Sequence, residues 1–139
     1  MATVIRPEIS EKNKYYIDKH RYYELKHFCL QYKEWTKEYN KCNDAILFAS
    51  RLDRLPSSNM PSDLTAKYAM QKIYYAQRIE MIEMIARDTD DFLYPFILKA
   101  VTEGLSYTNL KTRFEIPCSR DMYYDRYRKF FWLLSNKRD

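Results

Sequence analysis

The chain has 139 residues and a formal net charge of +5; it is 46% hydrophobic and 31% charged, and it holds one glycine, Gly104. Average usage of ~7% would supply about ten glycines. A single glycine excludes a G-x-G-x-x-G dinucleotide turn, a Walker loop and a nucleophile elbow. Tight hairpins also favour glycine, and the only valines are Val4 and Val101, so an all-α helical bundle is expected. No run of ~18 apolar residues is present, so no membrane span is expected. Residues 1–15 carry Arg6, Glu8, Glu11, Lys12 and Lys14 without an apolar stretch, which argues against a signal peptide. Cys29, Cys42 and Cys118 are widely spaced and read as free thiols of a reducing cytoplasm.

In chain order, residues 1–17 read as a flexible N-terminal arm. Asp18 is a fair N-cap, and beyond His20 the apolar residues Tyr22, Leu25, Phe28, Cys29, Tyr32, Trp35 and Tyr39 recur at steps of three and four. That spacing lays one apolar stripe along an amphipathic helix. The helical signal resumes or continues through Ala45 to Ala49, with or without a break near Asn40 to Asn43. Residues 52–63 hold Pro56, Pro61 and three serines and are expected to form a loop. A long central helix should then run from Asp63 to about Arg87. It carries two apolar rows, one of Ala66, Ala69, Ile73 and Ala76, the other of Tyr68, Tyr75, Ile79, Ile82 and Ala86. Two rows on one helix imply more than one packing neighbour, within a bundle or across a self-association seam.

Thr89 to Asp91 close that helix. Phe92 to Thr102 is strongly apolar, and its Pro95 is tolerable only in a first helical turn. Gly104 stands where a left-handed residue ends a helix. Ser106 caps a short helix, Tyr107 to Phe114; Ile116, Pro117 and Cys118 turn the chain; Ser119 caps the last helix, Arg120 to Leu134. Helix, short capped helix, tight turn and second capped helix form the layout of a helix-turn-helix. The chain therefore reads as an arm (1–17), a helical scaffold (18–103) and a helix-turn-helix segment (104–139), the last two packed as one domain.

In the last helix Tyr123, Tyr127, Phe130, Phe131 and Leu134 should face the core, while Arg120, Tyr124 and Arg128 follow another line at i, i+4 and i+8. The N-terminal part of such a helix meets base edges. Arg120, next to Ser119, is the candidate for guanine, because its planar fork can bond O6 and N7 together. Tyr124 suits a thymine methyl or a phosphate. Lys111, Arg113, Arg126, Arg128 and Lys129 are expected nearer phosphates, which set affinity rather than sequence choice. Residues 104–139 carry eight basic and four acidic side chains, whereas residues 80–103 carry two and six. Basic charge is thus concentrated on the segment that would meet DNA.

The stretch Glu103 to Ile116 resembles one shared by bacterial helix-turn-helix domains, including sigma-factor region 4, through Gly104, Ser106, Tyr107, Leu110, Phe114 and Ile116. It departs in having Glu115 where the turn usually has glycine, and Pro117-Cys118 lengthens the turn by about one residue. More widely, Arg21 to Tyr32 and Ile116 to Leu134 resemble small phage and prophage proteins of Gram-positive bacteria, of the RinA and ArpU late-transcription-regulator kind. That resemblance implies a phage transcription regulator acting in a bacterial cytoplasm, with duplex DNA and RNA polymerase as partners. Alternatives from other classes are an inhibitor that binds a host RNA-guided nuclease and a DNA-packaging recognition subunit.

No catalytic or metal site is expected. His20 and His27 stand seven apart, too far to hold one zinc unaided, and Glu80 and Glu83 lack a partnering base. Cys118 lies beside a helix N-terminus and Arg120, which could lower its thiol pKa, but packing in the turn is its expected role. Neither an enzymatic activity nor a cofactor is predicted; a homodimer is among the expected partners.

Overall fold

The structure is a computed structural model that describes residues 12–53 and 62–138. Among these residues it is all-α: α1 (Lys19–Leu30), α2 (Tyr32–Asp53), α3 (Ser62–Thr89), α4 (Tyr94–Glu103), α5 (Tyr107–Phe114) and α6 (Arg120–Lys137), with no strand. None of these helices is long and apolar enough to cross a membrane. The chain divides into two compact units. One comprises the residues up to Gln31 together with those from Ile82 onward; the other is Tyr32–Met81.

The first unit holds α1, the end of α3 and α4 to α6. Tyr22, Leu25, Phe28 and Cys29 are buried on α1, and Tyr123, Tyr127, Phe130, Phe131 and Leu134 on α6, in the periodicity their sequence predicts. Leu93, Ile97, Ala100 and Val101 complete this core with Ile82, Ile85 and Ala86. Burying a Leu, Ile or Phe side chain contributes about 1.5–3 kcal/mol, so this cluster dominates the unit's stability. Its two buried threonines are satisfied within their own helices: Thr89 Oγ1 donates to the Ile85 carbonyl and Thr102 Oγ1 to that of Leu98, both at 2.7 Å.

Asp18 occupies the N-cap of α1 in an extended conformation, but its side chain makes no capping hydrogen bond. Its carboxylate instead accepts from the Tyr16 hydroxyl at 3.3 Å. Of the expected flexible arm, residues 1–11 lie outside the described chain. Residues 12–15 are already ordered as a turn in which the Tyr15 N–H donates to Asn13 Oδ1 at 2.9 Å. The Tyr15 ring packs against Trp132 at 5.6 Å.

In the second unit α2 runs on without a break at Asn40 to Asn43, the continuous alternative, and the interruption falls before it, at Gln31. Trp35, Cys42 and Ala49, spaced by seven, are the buried residues of α2 and hold its period through the two asparagines. Cys42 Sγ donates to Gln71 Oε1 of α3 at 3.8 Å, and Lys72 Nζ stands 5.5 Å from the Tyr39 ring centre. Of the expected loop 52–63, residues 52, 53, 62 and 63 are helical and 54–61 lie outside the described chain.

Candidate nucleic-acid interface

The helix-turn-helix segment is built by local signals. Asp90 Oδ1 accepts from the N–H groups of Phe92 and Leu93 at 2.9 and 2.8 Å, closing the turn before α4, and Pro95 stands in that helix's first turn. Gly104 ends α4 at φ 70°, ψ 33°, with its N–H donating to the Ala100 carbonyl at 2.8 Å. Ser106 and Ser119 cap α5 and α6, each Oγ accepting at 3.2 Å, from the N–H groups of Asn109 and Met122. Two side-chain oxygens thereby satisfy amides that the first helical turn leaves unpaired.

Between the two caps lies a turn of unusual cost. Glu115 takes the left-handed conformation, φ 52°, ψ 46°, which the absent glycine would have adopted without strain. Leu110 and Ile116 are fully buried on either side of it, and the Ile116 N–H donates to the Leu110 carbonyl at 3.2 Å. Tyr107 ties α5 to α6: its hydroxyl donates to the Cys118 carbonyl at 2.7 Å, and its ring lies 5.6 Å from that of Tyr123. Lys99 of α4 reaches the other end of α5, its Nζ standing 4.6 Å from the Phe114 ring centre.

Three long-range contacts then fix α6. The Tyr22 and Tyr127 hydroxyls share a buried hydrogen bond of 2.7 Å. Arg21 donates to the carbonyls of Ser135 and Arg138 and, at 3.1 Å, to Ser135 Oγ, placing a cation on the carbonyls of the helix's C-terminal end. Asp90 Oδ2 accepts from Arg126 Nε at 2.8 Å, and Arg126 also pairs with Asp125. Burial pushes the Asp90 carboxyl up, but the bonds from Arg126 and from the Leu93 and Phe92 amides outweigh it and hold it below the ordinary carboxylate range.

The sequence-predicted site residues separate into three groups. Lys111, Arg113, Ser119 and Arg120 are exposed around the turn, Arg113 stacking on Phe114 at 5.1 Å and Arg120 on Tyr124 at 5.4 Å. Tyr124 is half-buried against Tyr123 and Tyr127, with ring centres 4.9 and 6.0 Å away. Arg128 and Lys129 are half-buried further along α6, and Arg126 is engaged by its two carboxylates. Along the line Arg120, Tyr124, Arg128 only Arg120 is exposed; Tyr124 and Arg128 are half-buried. Asp121, in the first turn of α6, is exposed next to Arg120.

Tyr124 also lines an open cavity of ≈ 200 Å³ together with Tyr22, Lys26, Gly104, Ser106 and Tyr127. Sequence reasoning did not join these residues. The doublets Tyr22-Tyr23 and Tyr123-Tyr124 were the available signal, since each sets one ring inward and the next beside it. The thiol pKa of Cys118 is not lowered: burial raises it, and the nearby cations Lys111 and Arg126 only partly offset this, with Asp90 adding to the rise. Cys29 is raised by burial as well. No group of His, Cys, Asp and Glu that could hold a metal ion occurs among the described residues.

No protein family's sequence profile matches the chain, and no curated protein or solved structure is significantly similar to it.

Proposed function

We propose that the protein is a non-enzymatic, sequence-specific DNA-binding regulator of transcription, of the phage-encoded kind, that reads duplex DNA with the N-terminal turns of α6. One observation carries this reading: three exposed cations, Lys111, Arg113 and Arg120, surround a turn capped on both sides, while the same turn is anchored underneath by Leu110, Ile116 and Tyr123. An anchored turn with free cations is what a groove-docking helix needs, because ordered side chains lose less entropy on binding. Arg120 would read a base edge; Lys111 and Arg113 would meet phosphates. Arg126 has a structural task in its pairing with Asp90 and is removed from the phosphate set.

Fluorescence anisotropy of labelled duplexes, taken from the DNA flanking the gene and from random sequence, tests the proposal. With about two phosphates neutralised, affinity should fall roughly 12-fold between 50 and 200 mM salt. Arg120→Ala should cost ~1–3 kcal/mol on the preferred duplex and level the preference among sequences, whereas Lys111→Ala should weaken all duplexes alike. Absence of binding to every duplex at 50 mM salt contradicts the proposal.

A second reading, a protein-binding inhibitor, draws on Asp121, an exposed acid beside Arg120 that would repel a phosphate. Asp121→Asn discriminates: stronger DNA binding supports the regulator, and an unchanged null titration supports the inhibitor.

A further inference from the structure

The open cavity of ≈ 200 Å³ lies wholly within the first unit and is lined from α1, α4, α6 and the link between α4 and α5. It is larger than the ~150 Å³ that suffices to hold one benzene ring in an apolar protein interior. Gly104 brings no side chain to this space; an added Cβ would meet only Leu30 Cδ2, at 3.6 Å. Part of the lining is aromatic. Between ring centres, Tyr22 lies 5.1 Å from Phe131 and 6.3 Å from Tyr127, and Tyr124 lies 6.0 Å from Tyr127. The Tyr22 and Tyr127 hydroxyls are engaged with each other at 2.7 Å, so this wall offers rings more than hydrogen bonds.

Charge enters the cavity at one place. Lys26 is half-buried, with Nζ 5.9 Å from the Tyr22 ring centre. Among the described residues it forms no ion pair, and no Asp or Glu lines the cavity. Ser106 Oγ accepts from the Asn109 amide at 3.2 Å, which leaves its own O–H as a donor.

We infer that this cavity binds a small aromatic carboxylate, a single planar ring carrying one anionic group. The ring matches the aromatic lining, since rings pack edge-to-face or offset at centroid distances of ~4.5–7 Å, a preference that an aliphatic chain lacks. The carboxylate matches Lys26 and the Ser106 hydroxyl, a cation and a donor with no competing acid beside them. A bare inorganic anion would leave the rings unused. A cationic guest, which aromatic cages otherwise favour, would meet Lys26 already placed over Tyr22 and no carboxylate to balance it. Tyr124 also carries Arg120, whose guanidinium carbon stands 5.4 Å from its ring centre, so an occupant that fixes Tyr124 bears on the cation assigned to a base edge. That consequence rests on the DNA reading; the binding itself does not.

The test uses the full chain without DNA and three probes of similar shape: benzoate, neutral benzamide and cationic benzamidinium. Each is titrated into ¹⁵N-labelled protein and followed by backbone amide shifts. Benzoate should saturate with a dissociation constant of roughly 0.1–1 mM, ordinary for so small a ligand. Its shifts should cluster at Lys26, Leu30, Gly104 to Ser106 and Tyr124. Benzamide should bind about tenfold more weakly and benzamidinium should not saturate, the difference expected when one charge-assisted hydrogen bond is lost. Lys26→Gln should bring benzoate down to the level of benzamide and leave benzamide unchanged. Lys137→Gln, which removes an exposed charge at the C-terminal end of α6, should change neither. The comparison of probes on the wild-type chain stands even where a variant fails to fold. No saturable shift with benzoate up to about 10 mM, shifts away from the cavity, or equal binding of benzoate and either other probe overturns the inference. Benzoate binding without DNA binding defeats only the regulator reading, and DNA binding without benzoate binding defeats only this inference.

Discussion

The two units of this chain use the same helical vocabulary and spend it differently. The unit of α1 and α4 to α6 buries aromatic and aliphatic side chains from every helix and adds polar ties at Tyr22–Tyr127, Asp90–Arg126 and Arg21–Ser135. Among its described residues the Tyr32–Met81 unit buries Trp35, Cys42 and Ala49 and leaves Leu47, Phe48, Met70, Ile73 and Tyr74 exposed. A hydrophobic residue is therefore placed differently in each: packed inward in the first, more often solvent-facing in the second.

The sharpest way to break this contrast is a pair of truncations. Phe130, fully buried, should lose about 3–5 kcal/mol of unfolding free energy on Phe130→Ala. Ile73→Ala should change it by no more than about 0.5 kcal/mol at micromolar concentration, since surface substitutions away from special features seldom do more. Urea denaturation of both measures the difference. Equal losses would mean that the second unit holds a core of its own.

Next in size is the ionic tie of Asp90. Its carboxyl is lowered in the folded protein, so it favours folding above the ordinary carboxylate pKa, and that contribution disappears as pH falls through the folded value, below about 4. Asp90→Asn should cost about 1.5–3 kcal/mol at pH 7, the range for hydrogen bonds to charged groups. The cost should shrink in the acid limit, where the wild-type carboxyl is itself neutral. Thermal unfolding between pH 3 and 7 reads both. A pH-independent difference would detach Asp90 from α6.

The smallest expected effects concern the two left-handed helix ends inside the first unit, and they carry opposite signs. Gly104→Ala should destabilise by about 1 kcal/mol through its positive φ. Crowding adds little, since an added Cβ would meet only Leu30 Cδ2 at an ordinary 3.6 Å. Glu115→Gly should stabilise by about 0.5–1 kcal/mol, because glycine adopts that conformation without strain. Chemical denaturation of the two variants is sufficient.

The same contrast explains what was legible in the sequence. From Pro95 onward the helix ends are set by neighbours in sequence: a proline in a first turn, a left-handed glycine and two capping serines. Hence α5 begins and ends where Ser106 and Phe114 predict, and α6 begins after Ser119 and runs three residues past Leu134. The α6 core face was equally legible, because one helix's period decides it. The continuity of α2 through Asn40 and Asn43 was not, because the packing of Trp35, Cys42 and Ala49 overrides the weak helical preference of two asparagines. Nor were the ties that orient α6. Tyr22 and Tyr127 lie 105 residues apart and Arg21 and Ser135 lie 114, and a local pattern carries no information at that range. Arg126 looked like a phosphate contact for the same reason: its carboxylate partner Asp90 is 36 residues away.

The central claim is that duplex DNA meets the chain at the capped turn between α5 and α6. Its most direct test is a titration of the ¹⁵N-labelled protein with a duplex of its own flanking DNA, followed by backbone amide shifts. The account predicts shifts clustered at Lys111 to Arg113 and Ser119 to Tyr124 that weaken as salt is added. Shifts confined to α2 and α3, or no shifts at low salt, would contradict it.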